Sequence, residues 1–390
     1  MVAGAPMEQR IKSVQAALAE ERLDGLVVRL PENLVLLAGY WPVLGRSALV
    51  LPASGEPVLV APEMEREALS RAFIVDIRTF PVWKLGDPSP DEGLRRLVTD
   101  AVTERGLRNR RIGVERHPDE DLAPTQKLTE PWFPSGPAEA MTAALTGDAV
   151  DITPLLTRLR GRKTAGELAR LRVAREVAEF GLRAFISAVQ PGRTEAEVAA
   201  DVERAVLAGG TGYKGTVHAR AEALVFSGAE RLDRVSWGYA ASTARRIERG
   251  EFVMLELCTV ADGYYSDITR MATAGPPSPR QEELMAAVAA AQRAAIEAIR
   301  PGVTGDAVDR AARDVLRGRG LADAFIHITG HGLGFRYHES VPMLYPGAEN
   351  VLAEGMVTSI EPGIYGVEFG GIRIEDNVAV TPGGVEVLGR

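Results

Sequence analysis

"AVQPGRTEAEVAADVERAVLAGG" (residues 188–210) returns as "AIRPGVTGDAVDRAARDVLRGRG" (residues 298–320), at an offset of 110 positions. In each copy a helical run stops at Pro-Gly, a threonine follows in position to cap, and a second helical run ends at glycine. Thr194 and Glu197 make a capping box, whereas Thr304 is followed three residues later by Ala307 and has no such partner. Strand-rich sequence follows each copy. Pro-Gly before a capping threonine is also ordinary helix punctuation, so the echo has a bland alternative. The reading pursued is a domain of two related halves, each two helices plus strands, with a site in the cleft between them.

Composition narrows the function classes. The chain has 390 residues, of which 46% are hydrophobic, enough for one large folded domain or two. The net charge is -8 and no block of five or six basic residues occurs, which argues against a nucleic-acid partner. Pairs such as Arg245-Arg246 read as solvated charge. No apolar run reaches membrane-spanning length. The opening "MVAGAPMEQRIKSVQAALAEERLDG" turns charged and helical too early for a secretion signal. Cys258 is the single cysteine, which excludes an internal disulfide and fits a reducing cytoplasm. It stands in an apolar strand-like run and reads as inert packing.

Residues 8–23 have helical periodicity, and "DGLVVRL" reads as a buried strand. "SALVLPASGEPVLVAP" reads as two strands about a Ser-Gly turn. The alternation continues to "RRIGVE", so residues 1–150 are expected to form an α/β domain and residues 151–390 a second, α+β domain. The boundary is placed near residue 150, and a long helix is expected in "RGRKTAGELARLRVAREVAEFGLRAFISAV".

Four segments of the second domain carry acids and imidazoles. "EFVMLELCTVADGYYSDITRMA" (251–272) reads as a hairpin turning at Asp262-Gly263, a pair suited to a type I′ turn. Pairing outward from that turn sets Ala261 against Tyr264 and Cys258 against Asp267, with Glu256 diagonal to Asp267 on the same face. A slip of one residue would separate the two acids. "HITGHGLGFRYHE" (327–339) holds three of the five histidines, His327, His331 and His338, among glycines that allow close backbone approach. "TSIEPGIYG" (358–366) reads as a strand ending at Glu361-Pro362. "GGIRIEDNVAV" (370–380) reads as one strand with Arg373 and Glu375 on a common face. Unpaired buried charge is very costly. Arg270 and Arg373 can neutralise these acids as structural ion pairs, or divalent cations can sit among Glu256, Asp267, Glu361, Glu375 and His331. Oxygen-rich ligation with one imidazole suits Mn²⁺, Co²⁺ or Zn²⁺.

In combination, "RRIERGE", "GYYSDITR", "FIHITGHGLGFRYHE", "SIEPGIY" and "GGIRIEDN" resemble the pita-bread metallopeptidases, in that family's order and near its spacing. The amino half matches only in size and α/β character, as in prolidases and creatinase. The resemblance implies a pita-bread carboxy-terminal domain with pseudo-two-fold internal symmetry. It also implies two divalent ions, with Asp267 and Glu375 bridging them, His331 and Glu361 on one, and the residue at position 256 on the other. Two departures stand out. That last position, eleven residues before Asp267, is normally aspartate and here is Glu256. A family histidine is also absent from "VSWGYAASTARRIERG", where Trp237, Gly238 and Tyr239 stand instead, so its proton donation or oxyanion contact is either absent or supplied by Tyr239 or water. The resemblance thus implies a dinuclear centre, weaker or more variable on the Glu256 side.

The same resemblance implies hydrolysis of the Xaa-Pro bond in dipeptides or short peptides by a metal-bridging hydroxide. Glu361 would then shuttle the proton, His338 would contact the tetrahedral intermediate, and His327 would lie by the substrate. Arg373 would orient Glu375, touch substrate, or simply pair with an acid. From its setting in "YWPVLGRSALVLP", Arg46 is a candidate for the substrate carboxylate, against a solvated turn charge as the plain alternative. Relatives are commonly dimers, so a homodimer is expected by analogy. A metal-independent creatinase-like amidinohydrolase and a catalytically silent binding protein remain the competing readings.

Overall fold

Apolar runs in the amino-terminal part become strands buried on both faces. A computed structural model describes residues 4–82, 89–116, 147–234 and 241–389. In it β1 (Gly25–Val28), β2 (Ala48–Pro52) and β3 (Val58–Pro62) are buried at every position. With β4 (Asp76–Phe80), β5 (Arg111–Val114) and β6 (Asp148–Asp151) they form a six-stranded mixed sheet in the order β4-β3-β2-β1-β5-β6. β2 and β3 pair antiparallel about the Ser-Gly turn, as their spacing predicts, while β1, β5 and β6 run parallel. Val27, Val50, Val60 and Ile112 pack with Leu94, Val98 and Val102 of the helix Pro90–Glu104.

Contacts gather the described chain into two compact units, one running through Arg160 with Thr164–Gly166, the other holding Gly161–Lys163 and Glu167–Arg390. The helix Thr153–Gly161 therefore falls almost wholly in the first unit, beyond the boundary expected near residue 150.

The second unit is built as the sequence echo predicts. In its first half the helices Ala165–Ala188 and Glu195–Gly210 pack on a sheet of β7 (Ala219–Ser227), β8 (Phe252–Ala261) and β9 (Tyr264–Thr273). In its second half the helices Pro279–Ala298 and Gly305–Arg317 pack on β10 (Gly330–Gly332), β11 (Glu339–Leu344), β12 (Val357–Ile360), β13 (Gly363–Gly366), β14 (Gly370–Arg373), β15 (Asp376–Thr381) and β16 (Gly384–Val387). Five of these seven form a sheet in the order β11-β10-β12-β15-β16, and β13 pairs with β14.

Equivalent positions repeat their hydrogen bonds. Gly192 donates to the Ile247 carbonyl at 2.8 Å and Gly302 to that of Leu352 at 2.9 Å, both with left-handed φ near 88–89°. Thr194 bridges Arg246, and Thr304 bridges Val351. Both threonines cap their helices, and only Thr194 has the reciprocal glutamate. Shared capping alone would fit ordinary punctuation; shared tertiary bonds, from positions 110 residues apart to partners 105 apart, identify two copies of one half.

One strand expectation needs correction. The run 370–380 is not one strand: it breaks at Ile374-Glu375, β14 pairing with β13 and β15 with β12. At the break the Glu375 N–H donates to the Thr269 carbonyl of β9 at 3.1 Å, so the chain changes sheets there. "TSIEPGIYG" ends its first strand beside Glu361-Pro362 as expected, because Pro362 lacks an N–H to continue the ladder, and Gly363–Gly366 starts a new pair. Among the described residues, no helix is long and apolar enough to cross a membrane.

Candidate metal centre

The β8–β9 hairpin holds the first two acids in the predicted register. Ala261 faces Tyr264, Cys258 faces Asp267, and Asp262 and Gly263 both have positive φ, as a type I′ turn requires. Glu256 and Asp267 thus share a face, together with Thr269, and all three are buried. Cys258 is buried as expected for packing.

His331 enters from β10. Its Nδ1–H donates to the Gly332 carbonyl at 2.8 Å, which fixes the tautomer and leaves Nε2 as a lone-pair donor. That Nε2 lies 3.4 Å from Asp267 Oδ2 and 3.3 Å from Glu361 Oε1. Glu361, just beyond β12, is steadied by a 2.9 Å bond from Ser359 Oγ. Burial raises its pKa, while the nearby His331 and Arg373 oppose the shift.

Glu375 comes from the break between β14 and β15. It is 1% exposed; Oε2 accepts from Thr269 Oγ1 at 2.8 Å, but Oε1 has no hydrogen-bond partner. Burial, then the charges of Asp267, Glu361 and Glu256, push its pKa well above the usual carboxylate range. An orphaned carboxylate oxygen beside three other acids is the feature a bound cation would satisfy.

The arginines do not dispose of this charge. Arg270 turns to Asp376 at 2.6 Å. Arg373 reaches the cluster, bonding Glu256 Oε2 and donating from Nε to Thr269 Oγ1 at 2.9 Å. It therefore pairs with Glu256, the plain alternative among its expected roles, and makes no bond to Glu375. One guanidinium faces four carboxylates. Three sets have donor atoms within 4.8 Å of one another: His331, Glu361 and Glu375; Asp267, His331 and His338; and Glu256, Asp267 and Glu375. Oxygen-rich donors with imidazole suit borderline divalent ions, so the residues present fit such a group.

The other histidines have separate settings. The His338 ring lies 4.3 Å from that of His331, centre to centre. His327 donates from Nδ1 to the Ile328 carbonyl at 2.7 Å, and its Nε2 accepts from Tyr365 Oη at 3.1 Å. Burial and the Arg373 charge bring its pKa down to about 3, although part of the side chain keeps access to solvent. Tyr365 accepts from Arg373 Nη1 at 3.1 Å, so Arg373, Tyr365 and His327 form a continuous chain. Arg46 lies in the amino-terminal unit and pairs with Asp91. Tyr239 lies outside the described residues.

Sequence reasoning missed several contributors. Thr269 was readable, since it follows Asp267 at period two. Tyr337, whose hydroxyl proton is shared between Glu256 Oε1 and, at 2.5 Å, Asp267 Oδ1, sits in a loop that no period governs. Glu339, next to His338, serves elsewhere, in a buried 2.6 Å ion pair with Lys163.

Comparison with known proteins bears on the same residues. A model of metallopeptidase family M24 matches residues 169–382, more than half of the chain. The chain belongs to metallopeptidase family M24. That span contains every acid and histidine of the centre, and residues 10–161 match the creatinase/prolidase N-terminal domain. A probable dipeptidase PepE of Mycobacterium tuberculosis is 36% identical over 382 residues, covering 96% of this M24 chain and 92% of the relative. An Xaa-Pro dipeptidase of Pyrococcus furiosus is 28% identical, covering 98% of each. The crystal structure of a prolidase from Pyrococcus horikoshii OT3 matches with a TM-score of 0.75 at 26% identity, again over 98% of each chain. The carboxy-terminal unit thus has the pita-bread fold, and membership places the chain among peptidase-family hydrolases whose chemistry uses divalent metal ions.

Proposed function

We propose that this chain hydrolyses the Xaa-Pro bond of dipeptides or short peptides at a centre of divalent ions, with Mn²⁺ the first candidate and Co²⁺ or Zn²⁺ the others. The observation that carries the reading is the orphaned Glu375 oxygen within a cluster where His331 Nε2 faces Asp267 and Glu361. The names of the Pyrococcus furiosus relative and of the Pyrococcus horikoshii structure support the choice of Xaa-Pro. Divalent ions held there would polarise a scissile carbonyl and acidify a bound water.

The protein's own groups have defined parts in this scheme. Glu361, held by Ser359 beside His331, accepts the proton of the attacking water and returns it to the leaving nitrogen. His338, edge-on to His331, donates to the oxygen that gains charge. His327 is held neutral, so it contacts substrate as a dipole and not as a cation. Arg373 holds Glu256 and Tyr365 in place. A cytoplasmic homodimer completes the proposal.

The deciding experiment is a panel of Xaa-Pro dipeptides, with Xaa-Ala dipeptides as controls, assayed with Mn²⁺ and after chelation. Turnover of Xaa-Pro that chelator abolishes is the expected result. Chelator-resistant amidine hydrolysis would establish the creatinase-like reading instead, and no turnover of any substrate would leave a binding protein.

A further inference from the structure

Tyr337 and Arg373 together occupy the edge of the centre that a second cation would need. Tyr337 is fully buried, and its ring is packed against His338 with centroids 4.6 Å apart. Its hydroxyl lies between Glu256 Oε1 and Asp267 Oδ1, within bonding reach of both, and its single proton is shared between them. The other oxygen of Glu256, Oε2, bonds the Arg373 guanidinium and lies 3.1 Å from Thr269 Oγ1. Each oxygen of Glu256 therefore has a protein donor within reach, Oε2 the Arg373 guanidinium and Oε1 the shared Tyr337 hydroxyl. A cation on that side would have to displace a charge-assisted bond and sit beside a fixed positive charge, and both effects oppose its entry.

The opposite edge is built differently. His331 Nε2 is presented by its Nδ1 bond, Glu361 lies 3.3 Å from it, and Glu375 Oε1 has no hydrogen-bond partner. Arg373 comes no nearer to Glu361 than 4.0 Å, measured from its Nε to Oε2. The contrast lies in the donors supplied by the protein: each oxygen of Glu256 has one within reach, whereas Glu375 Oε1 has none.

Resting on the metallohydrolase reading above, we infer that this chain binds a single divalent ion, on the His331–Glu361–Glu375 side, with Tyr337 and Arg373 closing the Glu256 side. The extra methylene of Glu256, relative to the aspartate the family resemblance implies there, extends the carboxylate toward these two donors. Substrate hydrolysis would then proceed with one ion, and Glu256 would act as a positioning residue for Arg373.

The test counts ions and needs no substrate. Metal-free full-length protein is reconstituted with Mn²⁺, freed of excess ion by gel filtration, and analysed by elemental analysis and electron paramagnetic resonance. The expected result is about one Mn²⁺ per chain with an uncoupled spectrum. Tyr337→Phe, which removes the hydroxyl and keeps the ring, is expected to tighten a second site by at least roughly tenfold, with a spin-coupled signal appearing. Tyr337→Leu, checked for folding by circular dichroism, repeats the measurement should the phenylalanine variant fail to fold. Two ions per wild-type chain with a coupled signal, or none at all, would overturn the inference, as would a foldable Tyr337 variant whose stoichiometry stays at one. Hydrolysis of Xaa-Pro dipeptides by protein carrying two ions would defeat this inference alone. A single bound ion without any hydrolysis would defeat the functional reading alone.

Discussion

Glu375 carries the sharpest consequence at the scale of single residues. Its raised pKa means that the metal-free native state holds a proton more tightly than the unfolded chain does. For such a group the stabilising contribution is complete below the ordinary value of 4.5 and is lost as pH rises through the folded value. Glu375→Gln removes that loss. At pH 7.5 the metal-free variant should be more stable than metal-free wild type, by about 1–3 kcal/mol. It should also lose most of the thermal shift produced by Mn²⁺, and activity should fall at least about a hundredfold. Thermal melts with and without ion check both signs; equal destabilisation in both conditions would contradict them. His327, neutral down to a pKa of about 3, gives a complementary expectation. The acid limb of the pH–rate profile should persist in His327→Asn even if overall activity drops, and a vanished limb would show that His327 titrates in the working range. Residue-scale features were legible where strand alternation fixed them, as for Glu256, Asp267 and Thr269. They were illegible where a loop sets direction. Tyr337 and the Lys163–Glu339 pair depend on the loop at residues 333–338, whose geometry no period encodes.

Between elements, the two halves of the carboxy-terminal unit differ where their second helices begin. Glu195 opens the first, its buried carboxylate accepting from Ser227 N at 2.8 Å, Thr243 Oγ1 at 2.6 Å and Arg231 Nε at 3.0 Å. The equivalent position in the second half is Gly305, where an added Cβ would lie only 2.0 Å from the Met343 carbonyl oxygen of β11. Its φ is not left-handed, so the glycine is there for space and not for conformation. Gly305→Ala must push the helix Gly305–Arg317 off β11, at a cost of roughly 1–3 kcal/mol or more. Removing the cap with Thr304→Ala should cost only about 1 kcal/mol. Urea denaturation of the two variants orders these effects, and an alanine at 305 that costs less than the lost cap would refute the steric argument. The echo itself was visible because helix stops and caps are local signals. The sheet change at Ile374-Glu375 was not, since "GGIRIEDNVAV" alternates as cleanly as an unbroken strand. Only the bond from Glu375 N to Thr269 in another sheet explains the break.

Over the whole molecule, two chemical handles fall on different units. Every residue of the metal centre belongs to the carboxy-terminal unit. Glu115, by contrast, is fully buried in the amino-terminal unit beyond β5, accepting from Leu30 N at 3.1 Å and Asn33 Nδ2 at 3.2 Å, and from Arg29 N. Burial raises its pKa to about 8 despite those donors. The sign follows as for any raised carboxyl: its contribution is complete below pH 4.5 and declines as pH rises toward 8, with a slope approaching about 1.4 kcal/mol per pH unit. A cation that binds only the native centre stabilises by mass action, by about 2.7 kcal/mol at a hundredfold excess over its dissociation constant. Segment-resolved hydrogen exchange separates the handles. Adding Mn²⁺ at fixed pH should slow exchange in β8, β9, β10 and β12, while raising pH from 6 to 8 should speed opening of β1 and β5 beyond the intrinsic pH effect. Glu115→Gln should abolish the second response and leave the first intact. Equal responses of both strand sets to either handle would overturn the assignment of metal to one unit and of the titrating carboxyl to the other.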